Sequence, residues 1–201
     1  MINAVIFDVD GVLLDNTKDF LKAYKETGKR LKLKVPLNSE FKKLFGMPWY
    51  KILEEVYGYL DDDMKKTYRK IISKAKMKKR KGLLHLLENL NLRKAIVTSK
   101  SKEDFNKHMG DLKDFFEVII TRDDVENHKP DPEPILLACK RLGIKPKEAV
   151  YVGDSIVDYQ AARNAKTSFI GVISGAASKK DFRELKVKYV TTLKDLLGEF
   201  K

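Results

Sequence analysis

The chain has 201 residues, 43% hydrophobic and 35% charged, which is enough apolar content for a buried core and excludes a disordered polymer. Its net charge of +12 comes mostly from lysine, and no apolar run approaches the length that spans a bilayer. A single cysteine, Cys139, excludes an intramolecular disulfide and a cysteine-built zinc site; with no signal-peptide pattern, the expected location is cytoplasmic.

Residues 4–7, AVIF, read as a short buried strand, and Asp8 and Asp10 follow directly with Gly11 behind them. Side chains alternate along a strand, so an Asp-x-Asp spacing makes sense where the strand ends and the chain turns. At the carboxyl end of a central strand, one such acid can act as nucleophile or metal ligand and the other as acid/base. Residues 17–80 carry helical patterns at 17–33, 38–46, 48–58 and 61–77, broken near Pro36, Gly46–Pro48 and Gly58. No strand pattern interrupts them, so 16–80 reads as an inserted helical subdomain with hinges at 14–17 and 79–82. The lysine run at 74–81 reads as a solvated helix face and linker. No aromatic interleaving or base-reading motif accompanies it, so no specific nucleic-acid partner is expected.

Beyond residue 92 strands and helices alternate. Strands are expected at 94–98, 117–121, 149–152, 168–173 and 188–190, and helices at 101–109, 132–142, 156–165, 179–186 and 192–200. This alternation predicts an α/β fold, a parallel sheet flanked by helices whose strand ends gather at one edge. Three of those ends carry polar groups. Thr98 and Ser99 offer hydroxyls to a ligand oxygen or to the cap of the next helix. Lys129 sits in NHKPDPEP, where two prolines stiffen its approach. Asp154 follows an apolar strand and Gly153, with Asp158 four residues on and on the same helical face.

Together these motifs resemble the haloacid dehalogenase superfamily over essentially the whole chain. DVDGV is similar to its first motif, Thr98 to its second, Lys129 to its third and GDSIVD to its fourth, in order and on the right elements. The resemblance implies a Rossmann-like catalytic core (1–15 and 81–201) and a helical cap (16–80). It makes Asp8 the nucleophile that takes a phosphoryl group and Asp10 the acid/base. Mg²⁺ is implied, held by Asp8, the Asp10 backbone carbonyl and Asp154, with Asp158 and Ser155 behind that set. Thr98, Ser99, Lys129 and the backbone N–H groups of Val9 and Gly11 are implied to bind phosphate.

Asp10 separates phosphoryl chemistry from dehalogenation, because an expelled halide needs no proton. The implied activity is hydrolysis of a small phosphorylated metabolite, as in phosphoglycolate phosphatase. A phosphomutase of the β-phosphoglucomutase type is the alternative, with Phe20 and Trp49 standing where that enzyme uses a histidine and an arginine; a nonenzymatic nucleic-acid-binding protein is a more distant one. Trp49 and Asn16 are candidates for reading the substrate, although Trp49 also suits the cap's own core. Cap cations Lys42, Lys43, Arg69 and Lys70 could meet a second anion. Arg80–Lys81–Gly82 replaces the proline many relatives carry before this glycine, which predicts a softer hinge. No oligomeric state can be read.

Overall fold

The central element of the computed structural model is β1 (Ala4–Phe7). The structure describes residues 1–173 and 175–200; Ser174 and Lys201, both within the segment 81–201 expected as core, lie outside the described residues. The chain continues through β2 (Leu14–Asp15), α1 (Thr17–Arg30), α2 (Asn38–Leu44), α3 (Trp49–Tyr57), α4 (Asp62–Ile72), β3 (Lys78–Lys79) and α5 (Leu83–Asn89). Then come β4 (Arg93–Val97), α6 (Lys102–Met109), β5 (Val118–Ile120), α7 (Glu133–Leu142), β6 (Ala149–Gly153) and α8 (Ile156–Asn164). The described chain closes with β7 (Ser168–Val172), α9 (Lys179–Glu184), β8 (Lys188–Val190) and α10 (Leu193–Gly198).

Six strands form one parallel sheet in the order β5-β4-β1-β6-β7-β8, the α/β architecture expected from the alternation. The chain winds outward from β1 to β5, then returns to the other side of β1 as β6. That reversal makes the carboxyl ends of β1 and β6 the switch point, where open α/β sheets leave a crevice for ligands. Both sheet faces are covered. Val5, Phe7, Ile96 and Val152 share one cluster with Leu86, Phe105 and Leu196 from α5, α6 and α10. Ala4, Ile6, Ala95 and Tyr151 share the other with Ile135 and Ala161 from α7 and α8. Burial on both faces explains why the central strands read as continuous apolar runs.

Helices α1 to α4 build a separate cluster around Tyr24, Phe41, Leu53, Met64 and Tyr68. The helix expected over 61–77 stops at Ile72, and a two-stranded antiparallel ribbon of β2 and β3 joins this segment to the sheet. The sequence there is better described by period two: Lys74, Lys76 and Lys78 face solvent, while Ala75 and Met77 are turned inward. The hinge is also firmer than expected. Arg80 donates through Nη2 to the Gly11 carbonyl at 2.8 Å, through Nε to that of Val12 at 3.0 Å and through its backbone N–H to that of Leu13 at 2.8 Å. A proline could offer none of these donors.

Candidate active site

Register brings the polar strand ends together. Phe7 pairs with Ile96 on one side and Val152 on the other, so Asp8, Thr98 and Asp154 emerge at neighbouring strand ends. The Asp8 N–H continues the ladder to the Val152 carbonyl at 2.9 Å. The chain then turns through Gly11 at φ +77°, a left-handed conformation suited to glycine. A Cβ there would overlap the Asp154 carboxylate, so the turn lets the two acidic segments approach.

Lys129 lies beneath Asp8 and is almost wholly buried. Its Nζ is 3.1 Å from Asp8 Oδ1, 2.6 Å from Asp158 Oδ1 and 3.0 Å from the Tyr151 hydroxyl. The other Asp158 oxygen accepts from the Ser155 hydroxyl at 2.6 Å and from the Asp154 and Ser155 backbone N–H groups at 3.2 Å. Ser155 also caps α8 through the Asp158 N–H. Asp158 is therefore saturated, and its role is to hold Lys129 and the start of α8 in place.

Ligand oxygens of Asp8, Asp154 and Asp158 all lie within 4.8 Å of one another. One ammonium cannot neutralise three buried acids. Burial pushes the Asp8 carboxyl up to about 7, with Asp158 and Asp10 adding to the rise and Lys129 opposing it. Burial works against the Lys129 charge, yet Asp158 and Asp8 hold its pKa well above the ordinary lysine range, so the proton stays on the lysine. Excess negative charge on hard oxygen donors fits a dication such as Mg²⁺. Asp8 and Asp154 are the two of these acids that border the cavity, while Asp158 lies behind them in its own hydrogen bonds.

Asp10 faces the same space from the turn. Its Oδ1 lies 2.8 Å from Lys100 Nζ and accepts from Asn16 Nδ2 at 2.6 Å. Lys100 is buried against the Phe20 ring, 5.4 Å from its centroid. Asn16 also accepts the Gly11 N–H at 3.1 Å and contacts Met77 Sδ at 3.3 Å. Its amide thus braces the Asp-x-Asp turn and does not border the cavity, and the Gly11 N–H is already engaged. Burial of the Asp8 carboxylate is eased by the Val9 N–H. Thr98 is buried, with its hydroxyl accepting from the Lys100 N–H at 3.3 Å. Ser99 borders the cavity, but its hydroxyl donates to the Gly46 carbonyl at 2.5 Å, tying the sheet edge to the helical segment.

The cavity above these groups has a volume of about 410 Å³. Asp8, Asp10 and Asp154 form its floor; Phe20, Tyr24, Trp49 and Tyr68 contribute to its roof. Trp49 borders the cavity and stacks on Tyr68 at 5.0 Å. Of the four cap cations singled out, Arg69 reaches the cavity, where it lies over the Trp49 ring at 5.3 Å. Sequence reasoning missed Lys100, Tyr68 and Tyr151. Only Lys100 carried a signal, as a lysine directly after the Thr98–Ser99 pair.

This fold and site define an α/β enzyme with an acid-and-ammonium centre at the sheet's switch point. Residues 5–172 match the family described as haloacid dehalogenase-like hydrolase. The chain is 32% identical over 184 residues to a protein of Bacillus velezensis named pyrophosphatase PpaX, covering 85% of this chain and 83% of that one. It is 32% identical over 204 residues to a phosphoglycolate phosphatase of Nitrosospira multiformis, covering 92% and 88% of the two chains. A solved hydrolase from Pseudomonas syringae superposes with a TM-score of 0.84 at 27% identity, covering 98% of this chain and 96% of that one. The chain belongs to the haloacid dehalogenase-like hydrolase family and is an enzyme of the phosphoric ester hydrolase class. Among the described residues, no helix is long and apolar enough to cross a membrane.

Proposed function

We propose that this enzyme is a Mg²⁺-dependent phosphatase that hydrolyses a small phosphorylated metabolite, of the phosphoglycolate type, through an aspartyl-phosphate on Asp8. The reading rests on one observation: Asp8, Asp10 and Asp154 share the floor of one cavity while Lys129 holds one Asp8 oxygen. The other Asp8 oxygen attacks phosphorus, the bond to the leaving oxygen breaks, and Asp10 gives that oxygen its proton. Asp10 then takes a proton from the water that attacks the phosphoryl group, which frees inorganic phosphate and regenerates Asp8. Bound Mg²⁺, held by Asp8, Asp154 and the Asp10 carbonyl, supplies positive charge that reduces repulsion between phosphate and carboxylates. Thr98 is the proposed phosphate donor, and Lys129 neutralises charge from below. Residues 16–80 act as a lid that excludes water and selects the leaving group. With one buried, unpaired cysteine, the enzyme suits the cytoplasm.

Phosphate release from a panel of phosphorylated metabolites is expected to require Mg²⁺ and to cease with a chelator. In Asp8→Asn, kcat should fall by about 10⁴-fold or more. Its thermal midpoint should match or exceed wild type, since a buried charge is removed and Lys129 keeps Asp158. Turnover retained in Asp8→Asn would remove the nucleophile assignment.

A further inference from the structure

Lys100 carries an ammonium that the fold has hidden. Its side chain is 6% exposed, and its Nζ lies 2.8 Å from Asp10 Oδ1. The Phe20 ring covers it from the helical segment, 5.4 Å from ring centroid to nitrogen. Among the described residues, Asp10 is the acid within ion-pair distance of it. The backbone beneath is fixed on both sides. The Lys100 N–H donates to Thr98 Oγ1 at 3.3 Å, and its carbonyl accepts the Arg122 N–H at 3.0 Å. Lys100 is thus carried between the ends of β4 and β5. Burying an ammonium costs free energy unless it is paired, so a lysine held here points to a use for the pair.

The two oxygens of Asp10 are treated differently. Oδ1 faces the Lys100 ammonium and accepts from Asn16 Nδ2 at 2.6 Å. Among the described residues, Oδ2 forms no hydrogen bond or ion pair, and the side chain is 25% exposed where it borders the cavity. Two nitrogens on one oxygen hold the carboxylate in place and leave the other oxygen for a mobile proton. Both tasks of Asp10 in the proposed reaction need that oxygen in one place, because proton transfer demands hydrogen-bond reach to the reacting group.

We propose that Lys100 is the positioning residue for the Asp10 acid/base: by holding Oδ1 it dedicates Oδ2 to the proton that passes to the leaving oxygen and returns from the attacking water. This rests on the phosphatase reading above and names the group that aims its proton donor. In the first step the bond from Asp8 to phosphorus forms, the bond to the leaving oxygen breaks, and that oxygen takes the Oδ2 proton. In the second, the water oxygen bonds to phosphorus, the Asp8 bond breaks, and the water proton returns to Oδ2. Lys100 itself transfers no proton.

The test uses p-nitrophenyl phosphate, because nitrophenolate leaves without a proton whereas the attacking water must lose one. Rapid mixing of Lys100→Met should show a burst of about one nitrophenolate per active site. The turnover that follows should be slowed about tenfold to a hundredfold, the range for a displaced acid/base group. The ratio of burst rate to steady rate should rise over wild type by the same factor, which a loss of folded protein would not produce. In an Asp10→Asn background there is no proton to aim, so adding Lys100→Met should change the steady rate by no more than about twofold. Losses that multiply across the two variants would make Lys100 a direct contact to the substrate and overturn the inference. So would an unchanged ratio in Lys100→Met. If that variant does not fold, Lys100→Gln, which keeps an N–H donor, carries the same two comparisons with a smaller shift. A wild type that frees no phosphate from any substrate removes the phosphatase reading and this role with it. An active wild type beside an unchanged variant removes the role of Lys100 alone.

Discussion

The floor and the roof of the cavity handle buried polar groups in different ways. On the floor, Asp8, Lys129, Tyr151, Ser155 and Asp158 partner one another, and none leaves a buried side-chain donor or acceptor unpaired. The roof is an aromatic stack, Tyr24–Tyr68–Trp49, that seats the buried Tyr68 phenol between two rings at 4.9 and 5.0 Å. The floor is thus organised before any ligand arrives, as catalysis by charge placement requires. The roof is held by ring packing instead of paired charges.

The sharpest way to break this contrast is Lys129→Met. Removing the ammonium strands the Asp8 and Asp158 carboxylates, and a broken buried pair costs about 3–5 kcal/mol. Urea unfolding should show that loss together with loss of turnover; a stable, active variant would mean the floor is not held by this network. The roof should respond differently to Gly28→Ala. A Cβ on Gly28 would overlap the Tyr57 ring, an overpacking worth about 1–3 kcal/mol. Here the thermal midpoint should fall while kcat/KM changes little, because Gly28 lies away from the cavity floor.

The smallest expected effect lies where roof and floor are joined, at the Tyr50 hydroxyl and His128 Nε2, 3.1 Å apart. Burial, with help from Lys51 and Arg122, holds the His128 pKa below the usual imidazole range. The unfolded chain therefore takes the proton more readily, and stability is lost as pH falls through that range toward the lowered folded value. Because His128 is partly exposed, the contribution should stay under about 1 kcal/mol. Comparing thermal midpoints of wild type and His128→Gln from neutral to acid pH should show wild type losing ground. Parallel curves would mean the tie carries no charge dependence.

Much of the floor was legible because its residues stand directly after apolar runs. Asp8 and Asp154 follow β1 and β6, Thr98 follows β4, and parallel pairing places such ends together. The segment 74–79 misled because a lysine-rich stretch satisfies a helix pattern as readily as an extended one; the pairing of β3 with β2 decided it. Arg80 suggested softness because a missing proline was visible and three carbonyl acceptors were not. Asn16 was singled out for the substrate, and instead its amide braces Asp10 and Gly11.

From its sequence alone, this protein's parallel sheet, acidic strand ends and family could be read, because each depends on spacing along a few contiguous residues. Only the folded chain determined that Lys100 meets Asp10, that Asp158 is saturated and that Tyr68 is clamped between Tyr24 and Trp49. Those properties belong to side chains from distant segments, and their energies depend on burial and on which partners arrive, neither of which a local pattern encodes.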